Sequence, residues 1–309
     1  MSKKLVSLLL AAMLLCPALA GTAEDAGLTV TDMLGRTVTL AGPAERVVVL
    51  MPSDCEILYA IGAGSAVVGR GMYCNYPAEV ADIPVVNSGS ETNLEEIVAL
   101  TPQLVVMTKM AQTEEQVNAL EAAGIRVLIT DAQTIADTYD CIALLGEVTG
   151  KAAEAEAVVS DMKARFAAVS EKAQSTGKTV YFETTPMEYG WGLYSAGKGN
   201  FMDEIGAICG LTNIFGTVDY AWPVVSEEDV INADPDYIVT IDSNGMGDAD
   251  AAQVILAREG WQQMQAVQNG RVLIVGNDEF SRPGPRLADA AEALYRLIYE
   301  EEAAAEPAA

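Results

Sequence analysis

The chain of 309 residues contains no histidine. That absence removes Ser-His-Asp and Cys-His catalysis, and it removes the commonest ligand for zinc or copper. Basic residues are scarce: 18 Lys and Arg stand against 44 Asp and Glu, a formal charge of −26. So acidic a surface repels nucleic acid and anionic lipid and argues against general phosphate binding. Long apolar runs are missing too. The run from Leu5 to Leu15 follows Lys3 and Lys4, precedes Ala18-Leu19-Ala20, and is too short to span a bilayer. It reads as an export signal over residues 1–20. Its removal takes Lys3 and Lys4 with it and moves the formal charge from −26 to −28. Lipidation at Cys16 is the alternative. It ranks second because Leu15 stands where a lipid-attachment motif carries a small residue. Cysteine is sparse. Cys55, Cys74, Cys141 and Cys209 follow the signal, and an exported protein allows them three pairings. No two form C-x-x-C, which argues against a thioredoxin-like site.

What is present is half hydrophobic by composition and long enough for two lobes. Leu28–Asp32 and Arg36–Leu40 alternate around Gly35 and predict a hairpin. Short apolar strands are expected at Arg46–Leu50, Ala66–Gly69, Leu104–Met107 and Val127–Thr130. Helical stretches separate them, the first opened by a capping box at Ser53-Asp54-Cys55-Glu56. Residues 134–148 predict a helix that breaks at Thr149-Gly150. Residues 151–174 predict a longer one with a single stripe of Ala155, Val158, Val159, Met162, Phe166 and Val169. A second strand–helix alternation runs from Thr179 to a last helix near Pro285–Glu301. The expected layout is an N-terminal lobe at 21–150, a connecting helix at 151–174, a C-terminal lobe at 175–304 and a frayed tail at 305–309.

An internal repeat supports two similar lobes. Residues 95–106 read EEIVALTPQLVV and residues 228–239 read EDVINADPDYIV. Both carry two acids, a short apolar helix, a proline seven residues after the first acid, and an apolar strand. Thr92 and Ser226 are the expected caps. The lobes would enclose a crevice reached by loops leaving strand ends. Aromatics are 6% of the chain but crowd into those loops: Tyr73 and Tyr76, then Tyr189, Trp191 and Tyr194, then Tyr220 and Trp222. They suit a flat, partly apolar ligand. Arg282 and Arg286 in the last loop suit a carboxylate or another anionic group. Glu95 and Glu228, the matched acids, read either as first-turn helix acids or as a pair at the two lobe tips that registers a basic partner.

Over nearly its whole length after the signal, the chain resembles the class III substrate-binding proteins of ABC importers. The segments that carry the likeness are RVVVLMPSDCEILYAIGAG, GRGMYCNYPAEV, NLEEIVALTPQLVV, GNFMDEIGAICGLTNIF, AWPVVSEEDVINADPDYIV and SRPGPR. The resemblance implies an α/β fold of two similar lobes with mostly parallel sheets, joined by one long α-helix. It implies modest hinge motion. It places Tyr73, Trp222, Asp278 and Arg282 in a ligand cleft, with Trp191 added by loop position alone. It assigns Glu95 and Glu228 to docking on arginines of the permease. Ser90 stands where cobalamin binders can carry a tryptophan, a departure that removes part of the corrin-stacking wall the resemblance implies. Cys209 matches a disulfide cysteine of some members, and its usual partner near the C-terminus is missing. A Cys55–Cys74 bridge is a further option.

The expected function is capture of a ferric siderophore or a corrinoid outside the cytoplasmic membrane and delivery to a permease dimer. The chain is expected to be a monomer without catalytic residues, cofactor or resident metal, and with no nucleic-acid partner. Haem ranks third as ligand, through tyrosine. A ligand-binding sensor that signals to a membrane receptor is the alternative. A histidine-free hydrolase is the least favoured class.

Overall fold

The computed structural model describes residues 27–89, 91–110, 113–175, 177–185, 190, 192–241 and 248–301. The signal, Cys16, Ser90, Trp191 and the tail at 305–309 lie outside these residues.

Strands β1 (Leu28–Thr31) and β2 (Thr37–Leu40) pair antiparallel, Leu28 opposite Leu40. Gly35 turns between them at φ 78°, where a side chain would be strained. The first large sheet is wholly parallel. Its strands are β3 (Val47–Val49), β4 (Val67–Gly71), β5 (Val85–Val86), β6 (Leu104–Thr108) and β7 (Arg126–Thr130), in the order β5-β4-β3-β6-β7. Val47–Val49 and Leu104–Met107 are buried on both faces, as parallel strands covered by helices must be. Helices α1 (Pro52–Ala60), α2 (Leu94–Ala99) and α3 (Glu114–Ala122) connect them, and α4 (Ile135–Val148) follows β7.

Helix α5 (Ala152–Lys172) follows. It buries Ala155, Met162, Phe166 and Val169 and packs on α4 on one side and on the last helix of the chain on the other. Burying Met162 and Phe166 contributes roughly 2–3 kcal/mol each.

The second lobe contains β8 (Thr179–Glu183), β9 (Leu193–Tyr194), β10 (Thr212–Asn213), β11 (Val224–Val225), β12 (Tyr237–Ile241) and β13 (Val272–Val275). A four-stranded parallel sheet runs β10-β8-β12-β13, and β9 with β11 forms a small antiparallel pair. Its helices are α6 (Phe201–Ile208), α7 (Glu227–Ala233), α8 (Asp248–Ala257), α9 (Gln265–Gln268), α10 (Asn277–Ser281) and α11 (Leu287–Arg296). A π-helical turn, Leu297–Glu301, continues α11.

The repeat is visible in three dimensions. In each lobe the repeated helix (α2 or α7) leads into an inner strand (β6 or β12) beside the lobe's first large-sheet strand (β3 or β8). The backbone marks it as well. Among the described residues the non-glycine positions with positive φ are Thr101 (47°) and Asp234 (44°), which align in the repeat just before Pro102 and Pro235.

Two capping expectations are corrected. Ser53–Glu56 lies inside α1, which begins at Pro52 with no side-chain cap on Met51. Proline at the first helical position needs no N–H partner, so the helix starts there without a box. The cap of α2 is Asn93, which accepts from the Glu96 amide; the Thr92 hydroxyl turns instead to the Gly89 carbonyl, 2.6 Å away. Ser226 caps α7 as expected, accepting from the Asp229 amide at 3.1 Å.

Candidate functional site

Because each large sheet is parallel, the loops that leave its strands emerge at one edge. The loops after β3, β6 and β7 bring Met51–Asp54, Met110 and Gln133 to a cavity of about 150 Å³. The C-terminal lobe lines it with Phe201, Trp222 and Ser281–Pro283. The cavity therefore lies between the lobes.

Gln133 ties the two walls together. Its side-chain oxygen accepts from the Trp222 indole N–H at 2.7 Å, and its carbonyl accepts from the Phe201 amide at 2.8 Å. Its side-chain amide donates to Asp131 at 3.0 Å, which leaves the oxygen facing Trp222. Trp222 also meets Phe201 edge to face, ring centroids 5.7 Å apart. Beside them the Ile135 amide donates to Glu204 at 2.6 Å, a carboxylate at the N-terminus of α4.

Asp54 forms part of the cavity wall. It accepts from the Thr130 hydroxyl at 2.9 Å and from the Cys141 thiol at 3.5 Å. Burial outweighs both hydrogen bonds and pushes its pKa up to about 6.

At the other end of the cleft the lobes meet through ions. Glu56 on α1 accepts from Arg282 at 2.8 Å and from Arg286 at 2.6 and 2.7 Å. Arg282 also pairs with Asp278 at 2.7 Å and donates to Asn75 at 2.7 Å. Arg286 pairs with Glu279 at 2.6 Å and lies over the Tyr76 ring. Asn75 donates in turn to Asp278 at 3.2 Å. Both guanidiniums are mostly buried, and between them they already face three carboxylates, Glu56, Asp278 and Glu279.

The expected site residues separate accordingly. Trp222 and Arg282 line the cavity. Asp278 is outside the lining and reaches it only through Arg282. Tyr73 is 66% exposed and lies outside the cavity lining. Trp191 lies outside the described residues. Trp261 is buried in the C-terminal lobe with its N–H on Glu227, so it is no part of the cleft. Glu95 and Glu228 are exposed in the first turns of α2 and α7, while the adjacent Glu96 and Glu227 are held by Asn87 and Trp261. All four described cysteines are buried free thiols. Among the described residues no cluster of three His, Cys, Asp or Glu could hold a metal, and no helix is long and apolar enough to cross a membrane.

Sequence reasoning missed Gln133, Asp54, Glu56 and Phe201. Gln133 follows the predicted strand Val127–Thr130, the same strand-end position that singled out the aromatic loops. Its polar type drew no attention.

Comparison with known proteins agrees with this architecture. Residues 47–279 match the family described as Periplasmic binding protein, and the chain belongs to it. More closely, it is a class III substrate-binding protein of the ABC-importer type. An uncharacterized ABC transporter substrate-binding lipoprotein, YvrC, of Bacillus subtilis is 32% identical over 88% of this chain and 85% of its own length. The vitamin B12-binding protein of Salmonella typhimurium is 30% identical over 82% of this chain and 90% of its own. A crystal structure of a possible iron-binding (periplasmic solute-binding) protein from Staphylococcus epidermidis superposes with a TM-score of 0.70 at 28% identity, covering 83% of this chain and 99% of that one.

Proposed function

We propose that this chain binds a corrinoid outside the cytoplasmic membrane and hands it to the permease of an ABC importer. The carrying observation is the charge state of the cleft. Arg282 and Arg286, which by sequence suit an anionic ferric siderophore, are matched by Glu56, Asp278 and Glu279. Asp54 adds a carboxyl to the cavity wall. An anionic chelate would meet a compensated or negative surface and lose solvation without gaining a free cation. A corrinoid without strong negative charge avoids that penalty and finds aromatic and apolar surface in Trp222, Phe201 and Met110. The relatives named for vitamin B12 support the same reading.

The cavity of about 150 Å³ is smaller than the roughly 300 Å³ at which small-molecule sites begin. A corrin ring is admitted only when the lobes part, which breaks the Trp222–Gln133 hydrogen bond. Trp222 then stacks on the ligand. Glu95 and Glu228, at equivalent places on the two lobes, each engage one half of the permease.

Tryptophan fluorescence tests the ligand. Residues 21–309 titrated with cyanocobalamin should show saturable quenching of Trp222, confirmed by calorimetry to exclude optical filtering. Tighter binding of a trianionic ferric siderophore, or of haemin, would overturn the charge argument. Docking is tested apart from binding. Replacing Glu95 and Glu228 together by Ala should leave the titration unchanged and lower transporter-dependent uptake at least tenfold. Unchanged uptake would remove their docking role.

A further inference from the structure

Helix α7 has seven residues and opens with three consecutive acids, Glu227, Glu228 and Asp229. So short a helix is not stable by itself, and α7 keeps its place through what holds it. The strand leading into it, β11, is two residues long, pairs with the two residues of β9 and exposes Val224. Two of the three acids are engaged. The Asp229 carboxylate accepts from the Ser226 hydroxyl at 2.6 Å. The Glu227 carboxylate accepts from the Trp261 indole N–H at 2.9 Å. Glu228 lies between them, exposed and, among the described residues, without a hydrogen-bond or ionic partner.

The segment from Arg258 to Ala266 holds α7 at both ends. Trp261 takes the first turn through Glu227. Past the last turn, the Asp234 carboxylate accepts from the Gln265 amide at 2.7 Å and from its side chain at 3.0 Å, and the Ala266 amide donates to the Pro235 carbonyl at 3.2 Å. Between these points Gly260 turns at φ 85°, where a β-carbon would stand 3.4 Å from the Ile231 side chain of α7. Trp261 is itself fixed from inside. Tyr181 on β8 meets it edge to face, ring centroids 6.1 Å apart. The Arg258 guanidinium lies over its ring, 4.6 Å from the centroid. Arg258 pairs with both oxygens of Glu183, the last residue of β8, at 2.5 and 3.0 Å, and both side chains are buried. A buried pair of this kind contributes little net stability over apolar residues of the same size; what it supplies is a fixed orientation of the guanidinium. The first lobe pins its own repeat helix by the acid next to the matched one: Glu96 on α2 accepts from the Asn87 amide at 3.1 Å.

We infer that Trp261, backed by Arg258 and Glu183, is a positioning residue for docking: its indole N–H holds Glu227 inward, which sets the first turn of α7 and leaves Glu228 presented to the permease. The inference deepens the docking reading proposed above and rests on it. Trp261 is fully buried, so it acts through Glu227 and not by touching the permease. It lies outside the cleft lining, so ligand affinity does not depend on it.

The test separates position from charge. The purified chain, residues 21–309, is titrated against its importer in lipid nanodiscs, and both the binding and the stimulated ATPase rate are read, so that no particular ligand is required. Trp261→Phe keeps a ring and loses the N–H; Glu227→Ala loses the acceptor. Each should weaken docking about fivefold, with the ATPase rate at saturation and the cyanocobalamin titration unchanged. The double variant should be no weaker than either single one, because both remove one interaction. Glu227→Gln keeps an oxygen for the indole N–H and should stay within about twofold of the parent. A Glu227→Gln chain that docks as weakly as Glu227→Ala would overturn the inference, because Glu227 would then act by its own charge. Parental docking by both Trp261→Phe and Glu227→Ala would overturn it as well. Should Trp261→Phe fail to fold, the two Glu227 variants decide alone, since that side chain is only half-buried. Glu228→Ala separates the two readings. If it weakens docking and Glu227→Ala does not, the positioning role fails alone; if it has no effect, the docking role of Glu228 fails and takes the positioning role with it.

Discussion

Replacing Glu56 with Gln isolates the charge argument. Glu56 is 3% exposed and accepts three hydrogen bonds from Arg282 and Arg286, at 2.6–2.8 Å. Glutamine keeps the shape, removes one negative charge and turns an amide N–H toward a guanidinium. Removing one partner of a buried ion pair costs about 3–5 kcal/mol. Asp278 and Glu279 still hold the arginines, so the lower end applies, about 3 kcal/mol. At about 2–4 °C per kcal/mol for chains of this size, Tm should fall by about 6–12 °C. Calorimetry of the purified protein measures it. The same variant should bind anionic ferric chelates better, because the cluster loses its excess carboxylate and Arg282, at the cavity wall, keeps only Asp278 as an ionic partner. Cobalamin affinity should change less. A Tm within 1 °C of the parent, with anionic chelates still excluded, would mean that the network neither joins the lobes nor sets ligand charge.

Asp54 makes a pH prediction. Its pKa is raised in the fold to about 6 from an ordinary carboxyl value of 3.8, so the folded state binds its proton more tightly. The stability it contributes is therefore full below pH 4 and lost as pH rises through about 6, an effect on the order of 3 kcal/mol. Asp54→Asn keeps an acceptor for Thr130 and should flatten the dependence of Tm on pH between 4 and 6; an unaltered slope would refute the assignment. Gln133→Ala removes the hydrogen bond that must break for the cleft to open, worth about 1 kcal/mol. Cobalamin association measured by stopped flow should become about fivefold faster, and a slower rate would show that Gln133 holds the ligand and does not latch the cleft.

Local pattern carried much of this fold. Continuous apolar strands, the single stripe of α5 and the helix–proline–strand repeat depend on neighbours in sequence, so they could be read directly. The capping box at Ser53–Glu56 misled for a related reason: its spacing is local, but Pro52 supplies a competing helix start and Glu56 is drawn to two arginines more than 220 residues away. Arg282 and Arg286 look free in the sequence because Glu56, the carboxylate they share, lies on the other lobe. Tyr73 and Trp222 look equivalent, yet one is on the open surface and the other in the cavity wall.

The sequence alone determined the α/β class, the two-lobe repeat, the exclusion of histidine chemistry and the matched acids Glu95 and Glu228. These follow from composition and from periodicities of two and 3.6 residues, which need no knowledge of distant contacts. Only the tertiary structure decided which charges remain available in the cleft, and that Gln133 links the lobes. Each depends on groups brought together from far apart in the chain, and a hydrogen bond or ion pair is set by distances of a few ångströms that sequence spacing does not encode.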